Sequence, residues 1–330
     1  MKRALVTGGC GFVGSQIVRK LLDRGLSVRI LALPGEATTN IEGLDVELIR
    51  GDVLERSTCE DAVKGVDTVF HTAAIYRTWM PDPTLMYDVN IRGTYNVLEA
   101  SRREGVARVI YTASIASLGN ARPQDISDEQ SAYDLWDVDF AYSRAKYLSR
   151  EAAEDFSRWG MDVRVVCPAV VLGPGDIGPT PSGKLIINAL GASPPFYVGG
   201  GTSYVDVRDA AECHVLAAEH GKAGERYLAS AGGMLTRDFL RMVCRVGERK
   251  RRLYQIPDKL ARVYVARLEQ KARSTGEEPM ISSTALEYNF KFGNFSGEKA
   301  KRELGLTYRP MEETLRDAID YFRGRGWIAS

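Results

Sequence analysis

Short runs of Val, Ile, Leu and Ala recur along the first half of the chain, and each is followed by a stretch whose apolar residues return every three or four positions. The runs predict strands over 2–7, 27–33, 46–50, 68–72, 108–112 and 162–167. The helical spacing between them predicts helices over 14–24, 59–63, 89–104 and 141–159. A strand with one face in water alternates apolar and polar residues, whereas these runs are almost continuously apolar. They therefore belong in a parallel sheet covered on both faces. Strand and helix in alternation predict an α/β fold with a doubly wound parallel sheet of the Rossmann type.

The pattern breaks after Pro168. Residues 171–203 are rich in Gly and Pro (GPGDIGPTPSG, then GASPPFYVGGG), which suits an irregular covering segment better than another strand–helix unit. A strand over 203–207 and a helix over 206–219 return to the earlier pattern, and past residue 235 the spacing is helical with charged faces. The predicted division is a nucleotide-binding domain of residues 1–170, with 203–232 returning to it, and a smaller, mostly helical lobe of 171–202 and 233–330 that binds substrate.

Composition narrows the function classes. The chain has 330 residues, 44% hydrophobic and 26% charged, an ordinary soluble profile. Its net charge of +1 offers no bulk attraction to nucleic acid. Five dispersed cysteines without a C-x-x-C pair read as reduced thiols, and three histidines are too few for a His-based metal site. The longest apolar stretch, near 163–172, is interrupted by Arg164 and reaches only half of the ~20 residues that a membrane span needs. No basic-then-apolar leader follows Met1, so a cytoplasmic location is expected; contact with a membrane surface stays compatible with this reading.

The first predicted strand runs into Thr7-Gly8-Gly9-Cys10-Gly11-Phe12-Val13-Gly14 and then a helix. Glycines at 8, 11 and 14 permit a tight turn, close approach of backbone to a pyrophosphate, and close packing of helix on strand. The free N–H groups of the helix start then face the phosphates. This context predicts a dinucleotide cofactor contacted by Gly8, Gly11, Phe12, Val13 and Gly14. Asp52 and Val53 follow the third strand, where the Asp52 carboxylate is placed either to meet the adenine amine or to cap the next helix. Thr72, Ala73 and Ala74 end the fourth strand, and their small side chains let a nicotinamide ribose lie close. An acid after the second strand would mark NAD, and an Arg there would mark NADP. The chain has Ala32-Leu33-Pro34-Gly35, with Glu36 beyond the turn, so the cofactor is read as NAD(P)(H) with the choice between the two undecided.

Tyr142 and Lys146 stand at i and i+4, on one face of a predicted helix. An ammonium beside a phenol favours phenolate, which predicts a lowered Tyr142 pKa and a proton donor or acceptor for a carbonyl/alcohol pair. Hydroxyls at Thr112, Ser114 and Ser117 near the end of the fifth strand are candidates to orient the substrate oxygen. His71 reads as structural. Asn90 is placed either to support active-site backbone or to cap a turn.

These pieces, in order, resemble the extended short-chain dehydrogenase/reductase superfamily: TGGCGFVG at 7–14, GDV at 51–53, HTAA at 71–74, VNIRGTYNVLEA at 89–100, YTASIASLG at 111–119, YSRAK at 142–146, PAVVLGP at 168–174 and YVDVRDAA at 204–211. The likeness covers essentially the whole chain. It implies that Ser114, five residues before the glycine of the fifth-strand motif, is catalytic with Tyr142 and Lys146, and that the backbone around Pro168 and Val171 contacts the nicotinamide. YRTWMPDP at 76–83 and DIGPTPSGKLI at 176–186 are similar to the hopanoid-associated epimerase-like group, which adjoins the dihydroflavonol 4-reductases and 3β-hydroxysteroid dehydrogenases. Leu33 stands where relatives usually carry an Arg, a departure from their NADP pattern.

The loop after the fourth strand is unusually apolar. Ile75, Tyr76, Arg77 and Trp79, with Ser114, are the expected substrate contacts. They point to hydride transfer at a secondary alcohol or ketone of a sterol or triterpenoid, with Arg77 placed to meet a substrate carboxylate and so to permit decarboxylation of a 4-carboxysterol. The competing readings are a nucleotide-sugar epimerase or dehydratase with tightly held NAD(P), for which Arg77, Lys184 and Arg208 are the available cations, and a non-catalytic cofactor sensor. A bulky, apolar small-molecule substrate and a homodimer complete the expectation.

Overall fold

The structure is a computed structural model that describes residues 1–119, 125–191, 196–276, 279, 281–291 and 293–329. Residues 192–195 of the Gly/Pro-rich covering segment lie outside the described residues. Strands β1 (Arg3–Thr7), β2 (Ser27–Ala32), β3 (Glu47–Arg50), β4 (Thr68–His71), β5 (Arg108–Thr112) and β6 (Val163–Pro168) alternate with helices α1 (Phe12–Asp23), α2 (Arg56–Val63), the short α3 (Thr84–Tyr87), α4 (Thr94–Glu104) and α5 (Ala141–Arg158). The second half carries β7 (Val170–Leu172), α6 (Pro181–Leu190), β8 (Phe196–Tyr197), β9 (Gly201–Asp206), α7 (Val207–His220), β10 (Arg226–Ala229), β11 (Gly233–Leu235), α8 (Thr236–Val246) and β12 (Tyr254–Gln255). Helices α9 (Asp258–Thr275), α10 (Ser283–Phe290), α11 (Glu298–Leu304) and α12 (Met311–Gly324) end the chain.

Seven strands form one parallel sheet in the order β10-β6-β5-β4-β1-β2-β3. The order reverses between β1 and β4, and a crevice opens at the carboxyl ends of strands flanking such a switch point. The apolar runs explain the stacking: Leu5, Val6, Val69, Phe70, Val109 and Ile110 are all fully buried, with helices on both faces. Helix α7 packs against α1, and Arg24 of α1 reaches both Glu212 and Glu219 of α7.

The break after Pro168 is real, but the region holds more strand than its Gly and Pro content predicts. β7 leaves the large sheet and pairs in parallel with β9, which pairs antiparallel with β11. The strand foreseen over 203–207 therefore sits in a second sheet, while α7 and β10 join the first. A second core forms there around Leu172, Ile186, Tyr204, Phe239, Leu240 and Phe322. A third, much smaller cluster of Ala261, Val265 and Leu286 lies between α9 and α10.

The helix foreseen over 89–104 does not begin as an α-helix. Asp88–Gly93 forms a π-helical turn ahead of α4. Such turns are rare and concentrate at functional sites. Here the turn brings Gly93 against Val53 so closely that a Cβ on Gly93 would lie 2.7 Å from the valine methyl.

Candidate active site

The glycine loop forms the floor of the crevice. Gly8 has φ +68°, a left-handed conformation that a side chain would strain, and Gly11 N–H donates to the Gly8 carbonyl at 3.0 Å. A Cβ on Gly14 would lie 2.2 Å from the Gly8 carbonyl oxygen, so loop and helix start touch backbone to backbone. At Gly11, by contrast, the only neighbour of a Cβ is that same carbonyl at 3.2 Å, and the remaining space is open cavity. This is a cradle that a dinucleotide fills and a side chain would block.

That floor belongs to one cavity of about 1350 Å³. Pockets for a single small ligand span roughly 300–1,000 Å³, so this volume suits a cofactor and a substrate together. Gly8, Gly11, Phe12, Val13, Gly14, Asp52, Val53, Thr72, Ala73, Ala74, Pro168 and Val171 line it, and so do Ser114, Tyr142 and Lys146. Asp52 lines the crevice, and its carboxylate accepts from Leu54 N–H at 2.9 Å; the N-cap position of α2 is Glu55, so Asp52 braces the turn before that helix rather than capping it.

The substrate loop divides. Ile75 and Tyr76 line the cavity. Arg77 is exposed and Trp79 half-buried, and neither is part of the wall. The Tyr76 ring lies 4.8 Å from that of Tyr142, Phe140 lies 5.8 Å from it, and Tyr288 packs on Phe140, so Tyr142 stands among aromatics. Tyr288 and Phe140 carry no local signal in the sequence, because only the tertiary fold brings α10 and the start of α5 to this place. Nor did spacing show that Lys184 lines the cavity while Arg208 is held away in ion pairs with Asp206 and Asp317.

Burial decides the electrostatics. It pushes the Tyr142 phenol up to about 12, against a hydrogen bond with the Ser114 hydroxyl that acts the other way. The lowered phenol pKa expected from the i, i+4 pair is thus not what this site shows. The reason is geometric: Lys146 Nζ donates to the Thr112 carbonyl at 2.8 Å. Burial also brings the Lys146 ammonium down to about 8. Ser114 accepts from Ala116 N–H at 3.1 Å and caps the short turn Ile115–Ser117. Ser143 Oγ donates to the Ala116 carbonyl at 2.7 Å and ties that turn to α5.

Two buried histidines brace this arrangement. Nδ1–H of His214 donates to the Ala210 carbonyl at 2.7 Å, so Nε2 accepts from the Thr112 hydroxyl at 2.9 Å, the residue whose carbonyl holds Lys146. Thr94 Oγ1 donates to the Asn90 carbonyl, so it accepts from His71 Nε2 at 2.9 Å, and His71 Nδ1 accepts from Thr7 Oγ1 at 2.7 Å. Asn90 then clamps Ile75 through both its N–H and its carbonyl, at 2.8 and 3.0 Å. Of its two possible roles, Asn90 supports the backbone of the substrate loop. Burial lowers His71 to about 3 and His214 to about 4, so both act as neutral rings.

The profile of the NAD dependent epimerase/dehydratase family matches residues 4–229. The chain belongs to this family. Its sterol demethylase protein B relative from Methylococcus capsulatus is 31% identical over 328 residues, covering 98% of this chain and 99% of that one. The 3-beta-hydroxysteroid dehydrogenase of Mycolicibacterium neoaurum is 29% identical over 342 residues, covering 97% and 91%. The crystal structure of gox2253 superposes with a TM-score of 0.88 at 36% identity, covering 99% of this chain and all of that one. As a member of this family, the protein is an NAD(P)-dependent enzyme of the extended short-chain dehydrogenase/reductase type. After β2, Glu36 lines the wall with its carboxylate on Leu33 N–H at 3.0 Å, and Arg50 donates to the Leu33 and Glu36 carbonyls. Among the described residues no group of three or more His, Cys, Asp or Glu is placed to hold a metal ion, and no helix is long and apolar enough to cross a membrane.

Proposed function

We propose that the enzyme transfers hydride at a secondary alcohol or ketone on a bulky, polycyclic isoprenoid of the sterol or triterpenoid class. The observation that carries this reading is an apolar stretch of the cavity wall. There Leu185, Phe196, Val198, Tyr204, Leu240 and Ile256 face a cavity continuous with Tyr142 and Ser114. The names of the sterol demethylase and hydroxysteroid dehydrogenase relatives support it.

In this reading Ser114 orients the substrate oxygen and Tyr142 gives or takes its proton. With the phenol raised to about 12, Tyr142 is fully protonated at neutral pH and suited to donate to a ketone. Lys146 holds the ribose side of the site, and the Pro168 and Val171 backbone shapes the wall beside the nicotinamide. The bound cofactor supplies or takes the hydride at the carbon bearing that oxygen. If the substrate is a 3-hydroxy acid carboxylated at C4, its oxidation yields a β-keto acid, whose C4–carboxyl bond breaks to release CO₂ and leave the enol. Arg77 lies off the cavity wall, and Lys184, exposed on that wall, is the cation this reading offers to the carboxylate.

A nucleotide sugar brings a diphosphate, which calls for converging cations. Among the described lining residues only Lys146 and Lys184 are Lys or Arg. The deciding assay offers the purified protein 4-carboxylated sterols, uncarboxylated sterols and UDP-sugars, with NAD(P) in either redox state. The proposal requires nicotinamide turnover with a sterol. Epimerisation of a UDP-sugar without added cofactor, and no sterol turnover, overturns it. We further propose a cytoplasmic homodimer. Five buried, unpaired thiols support a reducing compartment, and the exposed Tyr95, Leu148 and Trp159 of α4 and α5 support the contact. Light scattering at twice the monomer mass, returning to monomer in Leu148→Glu, is the expected result.

A further inference from the structure

Helix α9 is apolar on two faces. Ala261, Val265 and Ala272 are buried against the body of the protein. Leu260, Val263 and Tyr264, at i, i+3 and i+4, form a second apolar stripe that stands 61%, 53% and 50% exposed. Exposed Phe196 and Tyr254, with rings 5.8 Å apart, extend the patch. The patch is also the lip of the cavity: Leu260, Tyr264 and Phe196 contribute to the cavity wall.

The charge around it is one-sided. Residues 249–273 hold nine Lys and Arg against two Asp and Glu, an excess of seven positive charges in a chain whose total is +1. The run Arg249-Lys250-Arg251-Arg252 passes the rim of the cavity, where Arg251 donates to the carbonyl of Gly191, a lining residue. Lys250, Arg252, Lys259 and Arg267 are exposed.

We infer that the outer face of α9, with the basic run before it, docks on an anionic lipid surface, so that the cavity opens onto the bilayer. Exposed Leu, Val and Tyr between Lys and Arg are the chemistry that settles at the headgroup–acyl boundary. Clustered cations are drawn to anionic headgroups. A second copy is the poorer occupant, since a two-fold contact centred on α9 sets this positive run against itself. Docking stands on the surface alone. Its use as a route for substrate rests on the apolar substrate proposed above.

The test is flotation of the full-length protein with vesicles of phosphatidylcholine alone or mixed with phosphatidylglycerol. The expected result is about tenfold more protein on the anionic vesicles, lost at high salt. The variants are Val263→Asp and Lys250→Glu/Arg252→Glu, none in the cavity wall. They are expected to cut vesicle binding about tenfold while leaving turnover of cyclodextrin-dispersed sterol unchanged and slowing turnover of sterol embedded in anionic vesicles. Equal binding to both vesicle types, or no loss in either variant, overturns the proposal. So does a Val263→Asp protein that changes its oligomeric state and not its vesicle binding, which makes the face a self-contact. Vesicle binding without sterol turnover keeps the docking surface and refutes the substrate class; the reverse result does the opposite.

Discussion

Removing the Tyr142 hydroxyl while keeping its ring separates its proton from its packing. Tyr142→Phe is expected to lower turnover by about 10²–10⁴-fold with cofactor affinity nearly unchanged, since the ring still packs on Tyr76 and Phe140. Single-turnover kinetics beside cofactor titration check this. Gly11→Val places a branched side chain in open crevice rather than in protein, so cofactor binding should collapse while the circular dichroism of the fold is kept; calorimetry with NAD and with NADP reads it. The two buried histidines give a pH dependence whose sign follows from their neutral state. Between the ordinary value near 6.5 and the folded values, the unfolded chain binds more protons, so stability falls as pH falls from 6.5 toward 3. His71→Gln should flatten part of that fall in guanidinium midpoints followed against pH. The glycine spacing and the Tyr142/Lys146 pair were legible in the sequence because each lies within seven residues of chain. The direction of the Tyr142 shift was not, because burial and the turn of Lys146 toward Thr112 are tertiary facts.

The loop after β4 shows how far an element can be read and where reading stops. Its apolar character was plain, but not which side chains turn inward. That is fixed by Asn90, which holds both backbone groups of Ile75 from a π-helical turn that periodicity reads as ordinary helix. The clamp sets Tyr76 beside Tyr142 and leaves Trp79 off the wall. Tyr76→Ala should therefore raise KM for an apolar substrate at least tenfold, because a large aromatic contact is worth about 2–3 kcal/mol. Trp79→Ala should change KM little, and neither should move cofactor affinity. Steady-state kinetics on the two variants with one sterol decides, and the opposite ranking would show that the loop rearranges around substrate. Six of the seven large-sheet strands, all but the four-residue β10, were legible for the reason that hid β7, β8, β11 and β12. A strand buried on both faces announces itself by continuous apolarity, while a two- or three-residue strand in a Gly/Pro-rich segment has too few positions to show a period.

Across the whole molecule the buried apolar residues are unevenly spread. The seven-stranded sheet and its helices hold a large continuous core, and the second sheet with α6, α8 and α12 holds another. Helices α9 and α10 bury few apolar side chains, Ala261, Val265 and Ala272 on the one and Leu286 on the other, with Val198, Ile256, Ile281 and Phe290 packed in part against Ala261, Val265 and Leu286. Much of the rest of their attachment is polar: Arg262 to Glu287, Glu269 to Ser283 N–H and Oγ, and Ser282 Oγ to the Thr78 carbonyl. The Arg262–Glu287 pair is solvent-exposed and adds little. Local opening follows the density of buried contacts, so these helices should exchange their amide hydrogens well before β4 and β5. They also form one wall of the cavity, through Leu260, Tyr264, Ala285 and Tyr288. The glycine loop lines another part of the same cavity. Saturating cofactor should therefore slow exchange in the segments around β1 and α1 with little effect on α9 and α10, whereas an apolar substrate or product should slow exchange in α9 and α10. Exchange followed by mass spectrometry on peptides from 258–275 and 283–290, with cofactor, with sterol and with both, measures this. Protection of α9 and α10 by cofactor alone would mean that the two parts of the cavity respond as one unit, and the uneven packing of the core would not then govern how the cavity takes its ligands.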